Sequence, residues 1–221
     1  MPFSEHGCGD DPVTRAAREQ MVSRQVAARG VTDERVLAAM RDVPRHLFVP
    51  EDLRAQAYED HPLPIGRGQT ISQPFIVALM TAVARPLPGD RALEIGTGSG
   101  YQSAVLARLV AQVYTVEVNP ALQREGSDRL AALGFTNVTS MLSDGYEGWP
   151  AEAPYDIVLV TAAPPEVPAP LLAQLAPGGR LVVPIGGTMQ ELQLIEKDRE
   201  GRTSTRTVAP VVFVPLVRPT A

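Results

Sequence analysis

Apolar positions change period twice along the chain. From Val13 to Arg29 the residues favour helix, with Met21, Val22, Val26 and Ala27 near one stripe and Gly30 able to end it. Thr32 reads as the N-cap of a second, short helix carrying Val36, Leu37 and Met40. Asp33 and Glu34 lie in its first turn, where the helix dipole favours negative charge, and Pro44 is its stop. Between Pro44 and Gln73 the pattern dissolves. Pro44, Pro50, Pro62, Pro64, Gly66 and Gly68 fall here, and Leu63–Gln73 has neither clean period. This predicts a long ordered loop or a set of short pieces, serving as a connector over the core or as a binding lid. Pro74 suits the first position of a helix running to Ala84, with Ser72 or Gln73 near its start.

After Pro86–Asp90, short apolar runs alternate with helical stretches. Strands are predicted at Ala92–Ile95, Val113–Val118, Val138–Leu142, Tyr155–Val160 and Leu181–Pro184. Between them come helices Tyr101–Val110, Pro120–Leu133 closed by Gly134, and Pro170–Leu175 closed by Gly178 and Gly179. This alternation predicts an α/β fold with a mostly parallel, doubly wound sheet. Two last strands, Glu191–Lys197 and Thr207–Pro215, flank the turn Asp198-Arg199-Glu200-Gly201 and predict an antiparallel edge hairpin. The expected layout is a loose tail over residues 1–12 and one domain over 13–221. Within it, 13–90 is an N-terminal helical and lid region, 91–185 the core and 186–221 the edge strands.

Composition narrows the function classes. The chain has 221 residues, 44% of them hydrophobic, enough for a sizeable core. The formal charge is −5, which argues against a protein that coats nucleic acid. The one cysteine, Cys8, rules out an intrachain disulfide and a cysteine-based zinc cage, and His6, His46 and His61 lack ligand spacing. No basic, apolar leader and no run of about 18 apolar residues is present, so a cytoplasmic location is expected.

The sharpest signal is Leu93-Glu94-Ile95-Gly96-Thr97-Gly98-Ser99-Gly100-Tyr101, between a predicted strand and a predicted helix. Glycines at alternate positions allow a tight turn and close approach of a ligand. The dinucleotide fingerprint G-x-G-x-x-G would need glycine at Tyr101 or Ser103, so a nicotinamide site is disfavoured. Glu117 ends the next strand about twenty residues on, the usual distance for a carboxylate that grips ribose hydroxyls. Tight turns and solvated strand ends would explain the same residues blandly.

Glu-x-Gly-x-Gly-x-Gly resembles motif I of the S-adenosylmethionine-dependent methyltransferases. Asp60-His61-Pro62-Leu63-Pro64-Ile65-Gly66-Arg67-Gly68-Gln69-Thr70-Ile71-Ser72-Gln73-Pro74 and Val43-Pro44-Arg45-His46-Leu47-Phe48-Val49-Pro50 closely resemble signatures of the protein-L-isoaspartate O-methyltransferases. The regions around 155–164, 174–184 and 213–216 are similar too. Ser143-Asp144-Gly145, where Gly-Asp-Gly is common, and Val212, where arginine or a small polar residue is frequent, depart from that pattern.

The resemblance implies a Rossmann-like methyltransferase fold and S-adenosyl-L-methionine as cofactor, with S-adenosyl-L-homocysteine as product. It implies a cofactor site built from Gln69, Thr70, Ile71, Ser72, Glu94, Gly96, Thr97, Gly98, Gly100, Glu117, Val118, Asp144 and Gly145. Glu94 would face the ammonium, Glu117 the ribose and Asp144 the adenine amino group. Ser72 would be the active-site serine, orienting a substrate carboxylate rather than attacking; capping the Pro74 helix is its structural alternative. The implied reaction is methylation of the free α-carboxylate of L-isoaspartyl residues, opening repair through a succinimide. Isoaspartyl proteins and peptides are then the partners of a monomer, with no nucleic acid, membrane or metal. A flexible peptide would pair with backbone near Val212–Val214 as an added strand. A carboxylate methyltransferase for one dedicated peptide and an inactive cofactor-binding protein are the alternatives.

Overall fold

The structure, a computed structural model, describes residues 11–219. Cys8, His6 and the expected tail as far as residue 10 lie outside the described residues. Asp11 and Pro12, expected in that tail, instead start the first helix. The Asp11 carboxylate accepts from the Thr14 amide at 2.8 Å, and Pro12 opens α1, Pro12–Gln20. The chain continues as a π-helical turn, Met21–Val26, and a 3-10 turn, Ala27–Arg29, where one uniform helix was expected. Met21, Val22 and Val26 of the π-helical turn are all fully buried. Gly30, at φ 97°, ends the run as expected.

Helix α2, Glu34–Asp42, is capped by Asp33 and not by Thr32: the Asp33 carboxylate accepts from Arg35 N at 2.9 Å. The aperiodic segment resolves into 3-10 turns at Arg45–Phe48 and Glu51–Gln56 and a hairpin of β1, Leu63–Gly66, and β2, Gln69–Ile71. Arg67 and Gly68 between the strands have φ 53° and 70°, the positive pair of a primed hairpin turn. Four- and three-residue strands are too short to show alternation, and Arg-Gly lacks the usual Asn-Gly signal. Helix α3, Pro74–Ala84, follows.

The main sheet contains β3 (Arg91–Ile95), β4 (Gln112–Glu117), β5 (Val138–Leu142), β6 (Tyr155–Val160), β7 (Leu175–Gly186), β8 (Gln190–Lys197) and β9 (Thr203–Val211). Its order is β5-β4-β3-β6-β7-β8-β9, parallel from β5 to β7 and antiparallel across β7-β8-β9. Helices α4 (Tyr101–Ala107), α5 (Pro120–Ala132) and α6 (Ala169–Ala173) supply the crossovers. The doubly wound α/β expectation holds, with two corrections. Strand β7 starts at Leu175, not Leu181, because the pairing with β6 shifts between Tyr155 and Ile157 and absorbs the stretch with Gly178 and Gly179. Strand β9 runs from Thr203 to Val211, not from Thr207 to Pro215: its polar first half pairs with β8 from the edge and therefore shows no apolar signal.

Two apolar layers follow from the two-residue period of the strands. Ala92, Val113, Ile157, Leu159 and Val182 face the layer built with the N-terminal helices. Leu93, Ile95, Val116, Val158, Val160 and Leu181 face the other. Strand order reverses between β3 and β6, the point where open α/β sheets leave a crevice beyond the strand ends. Among the described residues no helix is long and apolar enough to cross a membrane.

Candidate functional site

A cavity of about 280 Å³ occupies that crevice. Its floor is the turn after β3. Gly96, Gly98 and Gly100 have φ 99°, 51° and 87°, which only this spacing of glycines holds without strain. The turn is anchored on both sides. The Gly96 amide donates to Val116 O at 2.8 Å, and the Thr97 and Thr115 hydroxyls are 2.8 Å apart. The Thr161 hydroxyl, just past β6, lies 2.9 Å from both the Ile95 and Gly96 carbonyls. A Cβ on Gly96 would fall 2.4 Å from that hydroxyl oxygen.

Two carboxylates reach this floor. Glu117, at the end of β4, accepts from the amides of Gly98 (2.9 Å), Val118 (2.9 Å) and Asn119 (3.0 Å), so its orientation is set by backbone alone. Glu94 lies on β3 between Leu93 and Ile95, hence on the opposite face from them, against α4. It is fully buried. One oxygen accepts from the Ser103 hydroxyl and the other, Oε1, has no partner. Burial pushes its carboxyl up to about 8, opposed by the nearby Ser103 and Thr115 hydroxyls and helped by the Glu117 charge. An unpartnered carboxylate oxygen at the wall of a cavity is a place made for a cationic donor.

The hairpin β1-β2 forms the roof and contributes Gln69, Thr70 and Ile71, with Ser72 directly after it. Its Arg67 reaches across to Glu125 on α5, at 2.9 Å. An exposed pair like this contributes about 0–1 kcal/mol. Burying Leu63 and Ile71 contributes about 1.5–3 kcal/mol each, so apolar packing holds the roof and the ion pair only aims it. The capping alternative for Ser72 is not what the structure adopts. The cap position of α3 is Gln73, and no side chain caps it.

Of the residues expected at a site, Gln69, Thr70, Ile71, Ser72, Glu94, Gly96, Thr97, Gly98, Glu117, Val118 and Gly145 line one cavity. Gly100 sits one step behind, starting α4. Asp144 is not part of the lining. One of its oxygens accepts from the Tyr146 amide at 2.9 Å and the other pairs with Arg218 at 2.5 Å. The expected peptide pairing at Val212–Val214 meets a partial obstacle. The Gln190 side chain takes the Phe213 amide and carbonyl at 2.6 and 3.0 Å, and the Val214 carbonyl accepts from Ala163 at 2.8 Å. These bonds draw Val214–Val217 over the cavity as part of its wall. That wall, with Thr161 and Tyr101, was missed in the sequence. Thr161 had a usable signal, a polar residue directly ending an apolar strand at the ligand end of the sheet.

The chain matches the family model described as Protein-L-isoaspartate(D-aspartate) O-methyltransferase (PCMT) over residues 16–221. It is 52% identical over 208 residues to protein-L-isoaspartate O-methyltransferase 2 of Polaromonas sp., covering 93% of this chain and 97% of that one. It is 55% identical to the protein-L-isoaspartate O-methyltransferase of Methanoculleus marisnigri, covering 94% of each. Among solved structures it is similar to a protein-L-isoaspartate O-methyltransferase with TM-score 0.80 and 30% identity, over 90% of this chain and 65% of that one. A Plasmodium falciparum protein solved with S-adenosyl-L-homocysteine aligns with TM-score 0.79 and 25% identity, over 91% of this chain and 98% of that one.

Proposed function

The chain belongs to the protein-L-isoaspartate(D-aspartate) O-methyltransferase family, and from that premise we propose how its cavity works. The protein is a methyltransferase that esterifies the free α-carboxylate of L-isoaspartyl residues in damaged proteins and peptides, using S-adenosyl-L-methionine. The observation that carries this reading is the meeting of Ser72, delivered by the roof, with Glu94, Glu117 and the glycine turn in one cavity.

The residues present fit the cofactor. The unpartnered Glu94 oxygen is matched to an ammonium, and Glu117 keeps acceptor capacity toward vicinal hydroxyls beside its amide bonds. Gly96 packs against Thr161 only because it has no Cβ, and that close approach fixes the turn that floors the cavity. When bound, the cofactor supplies a sulfonium methyl that an already ionised carboxylate can take without a strong base. The chain's own task is positioning. Ser72 donates its hydroxyl to the substrate carboxylate and turns one oxygen toward the methyl. The roof and the 214–217 wall exclude water. Asp144, steadied by Arg218 and the Tyr146 amide, holds the loop that presents Gly145 to the cavity, a positioning role in place of the expected direct contact with the adenine amino group. We read the chain from Asp11 onward as one domain acting as a monomer, in the reducing cytoplasm that its lone cysteine fits.

The test is a matched pair of peptides, isoaspartyl and aspartyl, incubated with the protein and S-adenosylmethionine. A base-labile methyl ester should form on the isoaspartyl peptide, with the aspartyl one nearly inert. Equal labelling of both, or of neither, overturns the reading. Ser72→Ala should lower kcat about 10- to 100-fold, the loss of one hydrogen bond to a charged group, while S-adenosylhomocysteine affinity by calorimetry stays within about twofold. A matching loss of affinity would make Ser72 part of the cofactor grip instead.

A further inference from the structure

The two most exposed large apolar side chains among the described residues are Val212, 93% exposed, and Met189, 87% exposed. They are far apart in sequence, and each lies one residue beyond the same end of the β8-β9 ladder. There Gln190 pairs with Val211, and its side chain holds the Phe213 backbone. Both lie at the end of the sheet where the cavity opens. Met189 follows β7, which is parallel to β6, and Val212 follows β9, which runs in the same direction as β7. Beyond Val212 the chain alternates. Phe213 turns inward onto the core, and Val214 lines the cavity. The Gln190 side chain fixes this stretch through the Phe213 backbone, so Val212 is held at the rim and does not fold inward.

Leaving two such side chains in water forgoes burial that a neighbouring group could provide. Two residues fall far short of the roughly 800 Å² per partner that a stable dimer buries. They suit one side chain of a polypeptide whose reacting residue already sits in the cavity. Val212 is two residues from Val214, a span of about 7 Å in extended chain.

We propose that Met189 and Val212 form a seat for an apolar side chain two or three residues away from the isoaspartyl residue in the substrate polypeptide. This rests on the isoaspartyl reading above and adds a preference that the cavity alone does not specify. The seat selects damaged segments that display a buried-type side chain, as locally unfolded protein does.

The experiment uses two matched series of isoaspartyl peptides on the full-length protein. In one, leucine is walked through positions one to three on each side of the isoaspartyl residue; in the other, serine takes its place. Leucine at a position two or three residues away should raise kcat/KM about tenfold, about 1.4 kcal/mol, through KM. In the double variant Met189→Ser/Val212→Ser that ratio should fall to near one. Its kcat on the serine peptides and its S-adenosylhomocysteine affinity should match the wild type, which also shows that it folds. No leucine advantage in the wild type, or a full advantage kept by the variant, overturns the seat. So does a wild-type dimer in sedimentation that the variant abolishes, since the patch would then belong to a second copy. Failure of every isoaspartyl peptide, serine series included, would remove the enzymatic premise instead.

Discussion

Gly96→Ala should weaken cofactor binding at least a hundredfold while leaving a folded, less stable protein. The new Cβ would lie 2.4 Å from the Thr161 hydroxyl oxygen, well inside any real contact. That hydroxyl cannot swing away freely, because it sits 2.9 Å from the carbonyls of Ile95 and Gly96. The backbone adds a second penalty, since φ 99° is a glycine conformation and alanine there costs about 1–3 kcal/mol. The turn must therefore shift. With it goes the Gly98 amide that orients Glu117. We expect S-adenosylhomocysteine affinity to fall at least a hundredfold by calorimetry, about 3 kcal/mol. Adding Thr161→Ala removes the clash but not the φ strain, so the pair should recover binding only in part, a coupling that a double-mutant cycle reads directly. An unchanged dissociation constant in Gly96→Ala would mean that the turn does not carry the cofactor.

Glu94→Gln should separate stability from function. The carboxyl of Glu94 is raised by burial from 4.5 to about 8, so the folded protein holds a proton that the unfolded chain has released. The unfolded state binds fewer protons between these two values, and stability must fall as pH rises from about 5 through 8. At about 1.4 kcal/mol per pKa unit, the full penalty above pH 8 is on the order of 5 kcal/mol. Glutamine keeps the shape and cannot ionise. The variant should therefore melt higher than the wild type at pH 8.5, at about 2–4 °C per kcal/mol, and the two should converge near pH 5. Cofactor affinity should move the other way and drop about 10- to 100-fold, because a neutral amide cannot form the charged bond to an ammonium. Parallel melting curves of the two proteins across pH 5–9 would show that Glu94 is not the titrating group. A stabilising change that weakens binding is the pattern of a site strained for function.

The fold was readable because its cues are local. Each parallel strand is a short apolar run closed by a turn, and each crossover helix has its own punctuation, Pro120 and Gly134 for α5. Where local cues fail, the reading fails. The hairpin β1-β2 turns on Arg67-Gly68, a pair without a strong turn preference, and takes its shape from Leu63 and Ile71 packing beneath it. The first half of β9 is polar and becomes a strand only because β8 offers an open edge. Asp33 rather than Thr32 caps α2 because the helix begins one residue later than the polar run suggests.

The candidate site divides the same way. Glycine spacing from Gly96 to Gly100 and the carboxylate of Glu117 are properties of consecutive residues, and the chain alone determined them. So did Ser72, through its surrounding motif. Thr161 bracing Gly96, Gln190 clamping Phe213, Arg218 facing Asp144 and Met189 at the same ladder end as Val212 join residues that are 23 to 74 positions apart. Such contacts depend on strand order and register, which arise when the sheet closes and every strand must bury both faces at once. No stretch of sequence carries that information by itself, so only the tertiary structure decided them.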